Sequence, residues 1–496
     1  MVGHDDNGIP TVSLNAKPLP PDDEMGPLAP RPEPLAAPLG TFALLRALRA
    51  NPVATWTRLH FEKQVIGGTG VLGRVLVVHD PALVRHVLVD NAANYPKDDL
   101  QRRVLSSGLG KGLLMAEGDM WRAQRRALAP LFSPRTVAGF GNAMADVAVE
   151  VAARIGRSRE GRTLEIGNAM AQAGLAVLAR TIFSDGLTRT PAEFAHAVTA
   201  YLGAVGKLDP LDILDVPSVV PRLGRLRARP ALRFFDAAVE AMITRRRDLV
   251  AKGDGTAPKD LLTLLLQARD PETGAGLDDV EVRANIVTFI AAGHETTANA
   301  LTWALYLLSQ DPAARARVEH EADRELPDGR LDPARIDALV ETRAVLDETL
   351  RLYPPAATIS RQALGPDRVN GLLIKAGTQI VISPFVLGRH KTLWRNPDHF
   401  QPERFLPEAR RSVDRFAYLP FGAGPRVCIG ASFALQEAVT ILATLVRRVR
   451  LDLRPGHPVM PVQRITLRPQ DGMPMTVTRR GLMGEASASP TVTHLA

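Results

Sequence analysis

The chain has 496 residues, of which 45% are hydrophobic and 23% charged, and its formal net charge is +8. These values exclude disorder as the main state, because they are ordinary for a protein with a large core. Aromatic residues make up 5% and are not interleaved with a basic block, so the charge predicts an acidic protein partner and no nucleic acid. The single cysteine excludes an intramolecular disulfide and fits a reducing compartment, so we expect a cytoplasmic protein.

The composition predicts a single domain over residues 41–483, since no break in composition divides this span. Residues 1–40 are polar and rich in proline. They contain no apolar segment as long as a signal peptide or a membrane anchor. We expect them to form a disordered leader, and we expect residues 484–496 to form a disordered tail.

The first candidate site in chain order is a helix predicted after Gly118. Trp121 and Arg125 stand four residues apart and therefore share one face of that helix. Taken alone, the simpler interpretation is an arginine whose aliphatic stem lies over the tryptophan. Further along, residues 209–221 form an apolar stretch interrupted by prolines, which predicts a connection between two helices.

Residues 286–308 form an apolar stretch that is long enough to span a bilayer. However, its centre carries Glu295, and an acid at the bilayer midplane is energetically costly. We therefore predict a long helix buried in the protein core, with Asp278 and Asp279 as candidate capping residues.

The middle of this predicted helix combines small and polar residues. Ala292 and Gly293 precede Thr296 by four and three positions on one helix face, and their small size would admit a flat cofactor against the backbone. Glu295 and Thr296 suit proton transfer, because the hydroxyl can donate a proton while the acid relays one from water. The alternative is a capping or kink motif in a purely structural helix.

A later helical pattern, residues 344–353, contains Glu348 and Arg351 three positions apart, so their charges pair on one face. Such a pair is usually a surface ion pair of small energetic value. Here leucines surround it, and Arg404 follows in a Pro-Glu-Arg-Phe segment.

The minor β region is predicted from its turn residues. Asn370-Gly371 is a strong hairpin signal between two strand patterns, and Asp471-Gly472 predicts a second hairpin near the C-terminus. The predicted strands are residues 360–364, 372–374, 379–382, 465–467 and 475–477.

Cys428 is the only cysteine in the chain and lies in the loop Phe421–Gly430, which contains three glycines. A helical pattern begins at Ala431, and a helix N-terminus beside a cysteine stabilises the thiolate. A single sulfur cannot build a zinc or iron-sulfur site without further cysteines, whereas haem iron needs only one thiolate. The alternative is a buried structural cysteine in a glycine-proline turn.

Five residues of this loop, Phe421, Gly424, Arg426, Cys428 and Gly430, match the haem-binding loop of the cytochrome P450 monooxygenases. Three further motifs occur in the order found in that family: Trp-x-x-x-Arg, Ala-Gly-x-Glu-Thr-Thr and Glu-x-x-Arg. The sequence therefore resembles the cytochrome P450 family, in its soluble bacterial form. The segment after the cysteine looks closest to the branch that includes fatty-acid hydroxylases.

The resemblance implies a mainly α fold with a minor β region, in which haem b lies between the long apolar helix and the cysteine loop. Cys428 would be the axial ligand of the iron, and Glu295 and Thr296 would supply protons for oxygen activation. The implied folding cluster consists of Glu348, Arg351 and Arg404. The implied haem contacts are Trp121, Arg125, Ala292, Gly293, Arg361, Phe421, Gly422, Arg426, Cys428 and Gly430.

The resemblance also implies a monooxygenase that inserts one oxygen atom of O2 into an apolar compound, such as a fatty acid or a terpenoid, by hydroxylation or epoxidation. Electrons would come from a separate ferredoxin or flavodoxin with its reductase. We expect a monomer with a basic docking face that includes Arg122, Arg126 and Arg411. Residues 209–221 would be the F-G region over the substrate channel.

Three alternatives remain: a peroxide-driven haem peroxygenase, a rearrangement catalyst that needs no O2, and a non-catalytic haem sensor. The intact Glu295-Thr296 pair favours the monooxygenase. The first two alternatives usually depart from this pair, and a sensor would have no need of it. Steady consumption of NADH with reductase and substrate would separate these functions.

Overall fold

The computed structural model describes residues 2–4, 10–12, 25–70, 73–99, 110–184, 223–253 and 255–481. Helices predominate in this part of the chain and strands are a minor component, which confirms the predicted fold class. The loop predicted at residues 209–221 and the tail predicted at 484–496 lie outside the described residues.

The α-helices run through the whole described chain. They are α1 (Thr41–Ala50), α2 (Pro81–Arg85), α3 (Gly118–Leu128), α4 (Pro134–Ala138), α5 (Gly141–Gly156), α6 (Ile166–Leu178), α7 (Leu223–Lys252), α8 (Leu261–Gln267), α9 (Asp279–Gln310), α10 (Pro312–Glu325), α11 (Val340–Leu352), α12 (Pro384–Leu387), α13 (Pro407–Arg410) and α14 (Ala431–Arg448). Short 3-10 or π-helical turns supplement them at Pro52–Thr55, Arg58–Phe61, His86–Asp90, Ala92–Asn94, Ala129–Phe132, Ala179–Phe183, Pro333–Ala338, Pro402–Phe405 and Gly424–Arg426.

The strands are short and form separate small sheets. They are β1 (Val2–His4), β2 (Pro10–Val12), β3 (Val65–Gly70), β4 (Gly73–Val78), β5 (Thr163–Glu165), β6 (Ile359–Gln362), β7 (Asp367–Val369), β8 (Leu372–Ile374), β9 (Gln379–Ile382), β10 (Val449–Leu453), β11 (Pro461–Gln463), β12 (Leu467–Pro469) and β13 (Pro474–Arg479). One sheet has the order β1-β2-β3-β4-β9-β6, in which only the β4 and β9 pairing is parallel. A second sheet has the antiparallel order β10-β13-β5, and β7-β8 and β11-β12 are two-stranded.

The long helix α9 crosses the centre of the molecule. The Asp278 carboxylate accepts a hydrogen bond from the Glu281 amide at 2.7 Å, and the Glu281 carboxylate accepts one from the Asp278 amide at 3.1 Å, so a capping box fixes where α9 begins. Helices α6, α11 and α14 contact it, and most of its residues from Val282 to Leu308 are buried. The predicted core helix is confirmed with longer bounds. None of the described helices is long and apolar enough to cross a membrane.

One of the two predicted hairpins is confirmed and the other is wrong. Strands β7 and β8 join at Asn370-Gly371, where φ is 49° and 82°. The first strand of this hairpin is β7, because residues 359–362 pair instead with β9. The predicted C-terminal hairpin does not form: β12 pairs with β11, and β13 pairs with β10 and β5. The turn before β13 is instead held by the Glu165 carboxylate, which accepts a hydrogen bond from the Met473 amide at 2.9 Å.

The structure differs from the predicted leader, because residues 2–4 and 10–12 form strands of the first sheet and residues 29–31 lie against the body of the protein. The Ala29 amide donates to the Asp398 carbonyl at 2.8 Å. The Arg31 guanidinium donates two hydrogen bonds to the Asp398 carboxylate at 2.6 and 2.8 Å, and the Tyr353 hydroxyl donates to the Pro30 carbonyl at 2.9 Å. A bidentate arginine-carboxylate pair is strong enough to order this stretch.

Candidate active site

A cavity of about 460 Å³ lies between α9, the loop Phe421–Gly430 and strand β6. Every catalytic residue and haem contact predicted from the sequence lines it. These are Trp121, Arg125, Ala292, Gly293, Glu295, Thr296, Arg361, Phe421, Gly422, Arg426, Cys428 and Gly430. The fold therefore brings four distant parts of the chain to one site.

The cysteine loop has a backbone that only glycine can adopt at one position. Gly424 has a φ of 71°, and a Cβ atom there would lie 1.8 Å from the Leu88 carbonyl oxygen. The Cys428 amide donates to the Phe421 carbonyl at 2.9 Å, which closes the loop. The Cys428 side chain is consequently exposed to the cavity.

Burial raises the pKa of the Cys428 thiol. The Gly430 backbone amide and the positive charge of Arg125 act in the opposite direction, and burial outweighs them. The thiolate stabilisation predicted from the start of α14 is therefore smaller than the effect of burial. A metal ion binds the deprotonated sulfur, so these two groups would lower the cost of ligation.

Positive charge is concentrated on one side of the cavity. Burial and, to a smaller extent, the neighbouring charge of Arg426 lower the pKa of Arg361 to about 10. Burial also lowers the pKa of Arg426, with a smaller contribution from Arg125. Arginines held this close together in a partly buried wall fit a ligand that carries carboxylates.

The Arg125 side chain does not lie over the Trp121 ring, so the simpler interpretation of these two α3 residues is wrong. The guanidinium carbon of Arg426 lies 4.2 Å from the centroid of the Trp121 ring, so the covering cation comes from the cysteine loop. Arg426 also forms an ion pair with Glu117. Arg125 instead donates to the Val427 carbonyl at 3.0 Å, and so braces the backbone next to the cysteine.

The polar pair in the middle of α9 faces the same cavity. The Thr296 hydroxyl donates to the Ala292 carbonyl at 2.7 Å. The Glu295 carboxylate is partly exposed and lies 3.9 Å from the Arg468 guanidinium. Gly293 has a packing role that the sequence did not show, because a Cβ atom there would lie 3.2 Å from the Leu178 side chain of α6.

Glu348 and Arg351 are fully buried and form a bidentate ion pair with both distances at 2.6 Å. The third predicted member, Arg404, lies 3.5 Å from the Glu348 carboxylate. The remaining donors of Arg351 reach backbone carbonyls, including those of Pro397 at 2.7 Å and His399 at 2.9 Å. The cluster joins α11 to the segment before the cysteine loop, as expected for a structural role.

The predicted basic face is weaker than the sequence indicated. Arg126 donates two hydrogen bonds to the Asp270 carboxylate at 2.8 and 2.7 Å and also contacts Glu272 at 3.2 Å. Arg122 pairs with Asp119 at 2.6 Å. Because carboxylates balance both charges, Arg411 is the predicted docking residue that is exposed and forms no ion pair with another described residue.

Two further cavity residues have titratable side chains and were not predicted. Lys97 is buried and donates to the Leu114 carbonyl, and it lies in a polar stretch with no distinguishing pattern. Glu437 is also buried, and burial raises its pKa to about 8, with the neighbouring Thr297 hydroxyl acting in the opposite direction. An acid on the apolar face of the helix after the cysteine was the available signal for Glu437.

Comparisons with known proteins show the family of this chain. The sequence model of the cytochrome P450 family matches residues 66–474. The chain is 37% identical over 390 residues to cyclooctat-9-en-7-ol 5-monooxygenase of Streptomyces melanosporofaciens, which covers 77% of this chain and 81% of that protein. It is 32% identical over 356 residues to bifunctional cytochrome P450/NADPH-P450 reductase 2 of Bacillus subtilis, which covers 71% of this chain and 33% of that protein.

A solved structure is similar over the whole fold. The crystal structure of a cytochrome P450, CYP102L1, matches with a TM-score of 0.77 and 27% sequence identity, covering 91% of this chain and 100% of that one. The fold and the cavity thus define an oxygen-incorporating oxidoreductase that uses haem. The chain belongs to the cytochrome P450 family.

Haem b is the cofactor that this family implies, and the residues of the cavity fit it. The one cysteine of the chain opens onto the cavity, and three arginines on its wall match a group with two carboxylates. Within the described ranges, no group of three histidines, cysteines or acids could hold a metal ion by itself. A single thiolate ligand is sufficient for haem iron.

Proposed function

We propose that this chain is a monooxygenase that hydroxylates or epoxidises an apolar terpenoid-like compound with electrons from a separate redox protein. The observation that carries the proposal is the single cavity lined by Cys428, the Glu295-Thr296 pair and all the predicted cofactor contacts. Such a convergence of a metal-binding thiol, a proton-transfer pair and apolar walls is expected of a cofactor enzyme.

The proposed roles follow from the positions of the side chains. Bound haem supplies the activation of O2. Cys428 would ligate the iron, and the guanidinium groups of Arg125, Arg361 and Arg426 would bind the haem carboxylates. The Thr296 hydroxyl and the Glu295 carboxylate would hold and pass protons on the α9 side of the cavity.

The substrate class is supported by the apolar part of the cavity and by a relative. Side chains beyond the arginine wall are mostly aliphatic or aromatic, and include Leu113, Phe132, Ile182, Phe289 and Ala291. The name of the Streptomyces relative gives cyclooctat-9-en-7-ol as its substrate, which is a terpenoid compound. A polycyclic terpenoid is therefore our first choice, and a fatty acid is the second.

The source of electrons is also a proposal. The Bacillus relative is bifunctional, and this chain matches 33% of its length. Proteins of this family use redox partners. We assign electron delivery to a separate ferredoxin or flavodoxin with its reductase, because Arg411 and Arg415 are exposed before the cysteine loop and would attract an acidic protein.

The proposal is tested by turnover of the haem-loaded protein with a ferredoxin, its reductase, NADH and isotopically labelled O2. The probes are sclareol, as a polycyclic terpenoid alcohol, and lauric acid. Steady NADH consumption and a product with one labelled oxygen atom would support the monooxygenase. Product formed only with hydrogen peroxide would instead show a peroxygenase, and spectral binding without any product would favour a sensor.

The ligand assignment has a separate spectroscopic test. Cys428→Ala removes the thiol that lines the cavity. We expect the variant to lose the optical band of the ferrous carbon monoxide complex that is typical of thiolate ligation. Retention of that band would contradict the assignment of Cys428.

A further inference from the structure

The loop before α3 is held against α9 by buried amide side chains. Asn285 of α9 and Gln124 of α3 are both 0% exposed. The Leu113 amide donates to Asn285 Oδ1 at 2.8 Å, and Gln124 Nε2 donates to the Lys111 carbonyl at 3.0 Å. Two points of the loop, two residues apart, are therefore fixed to two different helices.

These two amides are also fixed to each other. Asn285 Nδ2 donates to Gln124 Oε1 at 3.3 Å and to the Glu281 carbonyl at 2.9 Å. Gln124 Nε2 donates in addition to the Glu281 carboxylate at 3.1 Å, the same carboxylate that closes the capping box of α9. A buried polar network whose members are satisfied is rigid, because each lost bond leaves an unpaired group behind.

The anchored loop forms a wall of the cavity. Leu113 and Leu114 line the cavity beside Thr288 of α9. Gly112 lets the loop approach the helix closely, since a Cβ atom there would lie 2.5 Å from Thr288 Oγ1 and 2.6 Å from the Ala284 carbonyl oxygen. The position of this wall is therefore determined by its contacts with α9.

A second asparagine of α9 anchors another wall. Asn299 Nδ2 donates to Thr466 Oγ1 at 3.0 Å, and both side chains are largely buried. Ile465 and Thr466 line the cavity at the turn between β11 and β12. Asn285 and Asn299 lie 14 positions apart, about 21 Å along the helix axis at ~1.5 Å per residue, with the Glu295-Thr296 pair between them.

We propose that Asn285 and Asn299 are positioning residues that fix two walls of the substrate cavity and so determine which carbon atom of a substrate is oxidised. This inference rests on the proposed monooxygenase function. Each asparagine forms a hydrogen bond with a residue of a cavity wall and would not contact the reacting atoms of the substrate. Loss of either should leave haem binding intact, relax the corresponding wall and broaden the distribution of products, because small displacements of a bound substrate change which bond is presented for reaction.

The direct test is hydrogen exchange of the haem-loaded protein, which is independent of turnover. Asn285→Leu removes the acceptor of the Leu113 amide, and we expect exchange in residues 110–116 to accelerate about tenfold, as for loss of one hydrogen bond. Asn299→Leu should accelerate exchange in residues 463–467 and leave 110–116 unchanged. Each variant is thus the control for the other.

A matched control removes a buried hydrogen bond elsewhere. The Thr444 hydroxyl is 0% exposed and donates to the Thr440 carbonyl at 2.8 Å within α14. Thr444→Val should leave exchange in both walls unchanged. If Asn285→Leu does not fold, Gln124→Met releases Lys111 and should accelerate exchange at residues 110–112 with a smaller effect at Leu113.

The functional arm uses sclareol and lauric acid as probes. The low-to-high-spin optical shift gives their dissociation constants, and turnover gives the ratio of regioisomers. We expect each asparagine variant to change this ratio at least threefold while the haem content stays at the wild-type level. Faster exchange with unchanged regioisomer ratios and dissociation constants would overturn the role in selectivity, and unchanged exchange would overturn the anchoring itself.

If the wild-type protein binds the probes but oxidises neither, the proposed function fails. Hydrogen exchange and the dissociation constants of the probes then test whether the two asparagines position the walls. Changed dissociation constants in the asparagine variants would still support wall positioning. Wild-type values in both measurements would refute it.

Discussion

At the scale of single residues, Thr296 combines an ordinary helical hydrogen bond with an unusual location. Its hydroxyl donates to the Ala292 carbonyl at 2.7 Å, a bond that Thr302 repeats with the Ala298 carbonyl at 2.7 Å. Thr296 lines the cavity, whereas Thr302 is 1% exposed and its hydroxyl lies toward Gly167 of α6. A comparison of the two threonines therefore distinguishes the loss of a helical hydrogen bond from the loss of a hydroxyl that lines the cavity.

We predict that Thr296→Val retains haem and substrate binding but diverts reducing equivalents from product to hydrogen peroxide. The reason is the loss of the hydroxyl that would pass protons in the cavity. The measurement is product and peroxide formed per NADH consumed. Thr302→Val loses an equivalent bond and should stay coupled. Equal coupling in Thr296→Val and the wild type would contradict a proton-transfer role.

Glu437 gives the stability of the protein a dependence on pH. Its pKa is about 8 in the folded protein, because burial disfavours the charged form, and about 4.3 in an unfolded chain. As the pH rises between these values, the unfolded state loses its proton first. The folded state is therefore destabilised by up to about 1.4 kcal/mol per pH unit in this window, with no further loss above pH ~8.

Glu437→Gln removes this titration. We predict that the free energy of unfolding of the variant increases relative to that of the wild type as the pH rises from 5.5 to 8.5. The measurement is the urea midpoint of the haem-loaded protein at both pH values. Glu150→Gln alters an exposed acid on α5 and serves as the control, since its difference from the wild type should not grow with pH. A constant difference for Glu437→Gln would show that this carboxyl is ionised in the folded protein at pH 5.5.

At the scale of elements, the Glu348 cluster joins α11 to the residues that precede the cysteine loop. Arg351 is bonded to Glu348 and to the carbonyls of Pro397 and His399, and the Gln401 amide donates to Glu348 at 2.8 Å. Removal of Glu348 would leave buried guanidinium charge without its counterion. Breaking a buried ion pair in this way costs far more than losing an exposed one.

We predict that Glu348→Ala destabilises the protein by ~3–5 kcal/mol and gives little soluble haem-loaded material. Glu150→Ala breaks an exposed pair with Arg180 and should cost about 0–1 kcal/mol. Yield of holoprotein and the urea midpoint are the measurements. A stable Glu348→Ala holoprotein with only slower turnover would assign the residue to chemistry instead of folding.

Local sequence signals predicted the start of α9 and the first hairpin correctly, whereas the pairing of strands that are distant in the sequence could not be predicted. The capping box at Asp278 and the Asn370-Gly371 turn depend on neighbouring residues, and both are present in the structure. The C-terminal hairpin was wrong because β13 pairs with β10 and with β5, about 300 positions earlier, and no local alternation reveals such partners.

The site was predicted from its motifs, but its contacts were not. The motif residues line one cavity, as their order along the chain indicated. That Arg426 covers Trp121, or that Asn285 accepts from Leu113, depends on how loops pack against helices. The sequence also could not show that Asp270 lies beside Arg126, because the two residues are 144 positions apart.

At the scale of the whole molecule, the net charge of +8 has to be assigned to particular surfaces. Arg122 and Arg126 are paired with carboxylates, which weakens α3 as a docking surface. Arg411 and Arg415 are exposed in the segment that leads to the cysteine loop. A negatively charged redox protein would be attracted to this segment near the proposed iron ligand.

We predict that Arg411→Glu with Arg415→Glu slows reduction by an acidic ferredoxin by roughly tenfold at low salt, because steering between exposed charges is lost. Stopped-flow reduction is the measurement. The effect should shrink as the Debye length falls from ~10 Å at 0.1 M salt to ~3 Å at 1 M. Arg46→Glu with Arg49→Glu makes the same change in net charge on α1, where both arginines are exposed, and should have a much smaller effect. Equal slowing by the two double variants would show that net charge, and not this docking segment, governs the reaction.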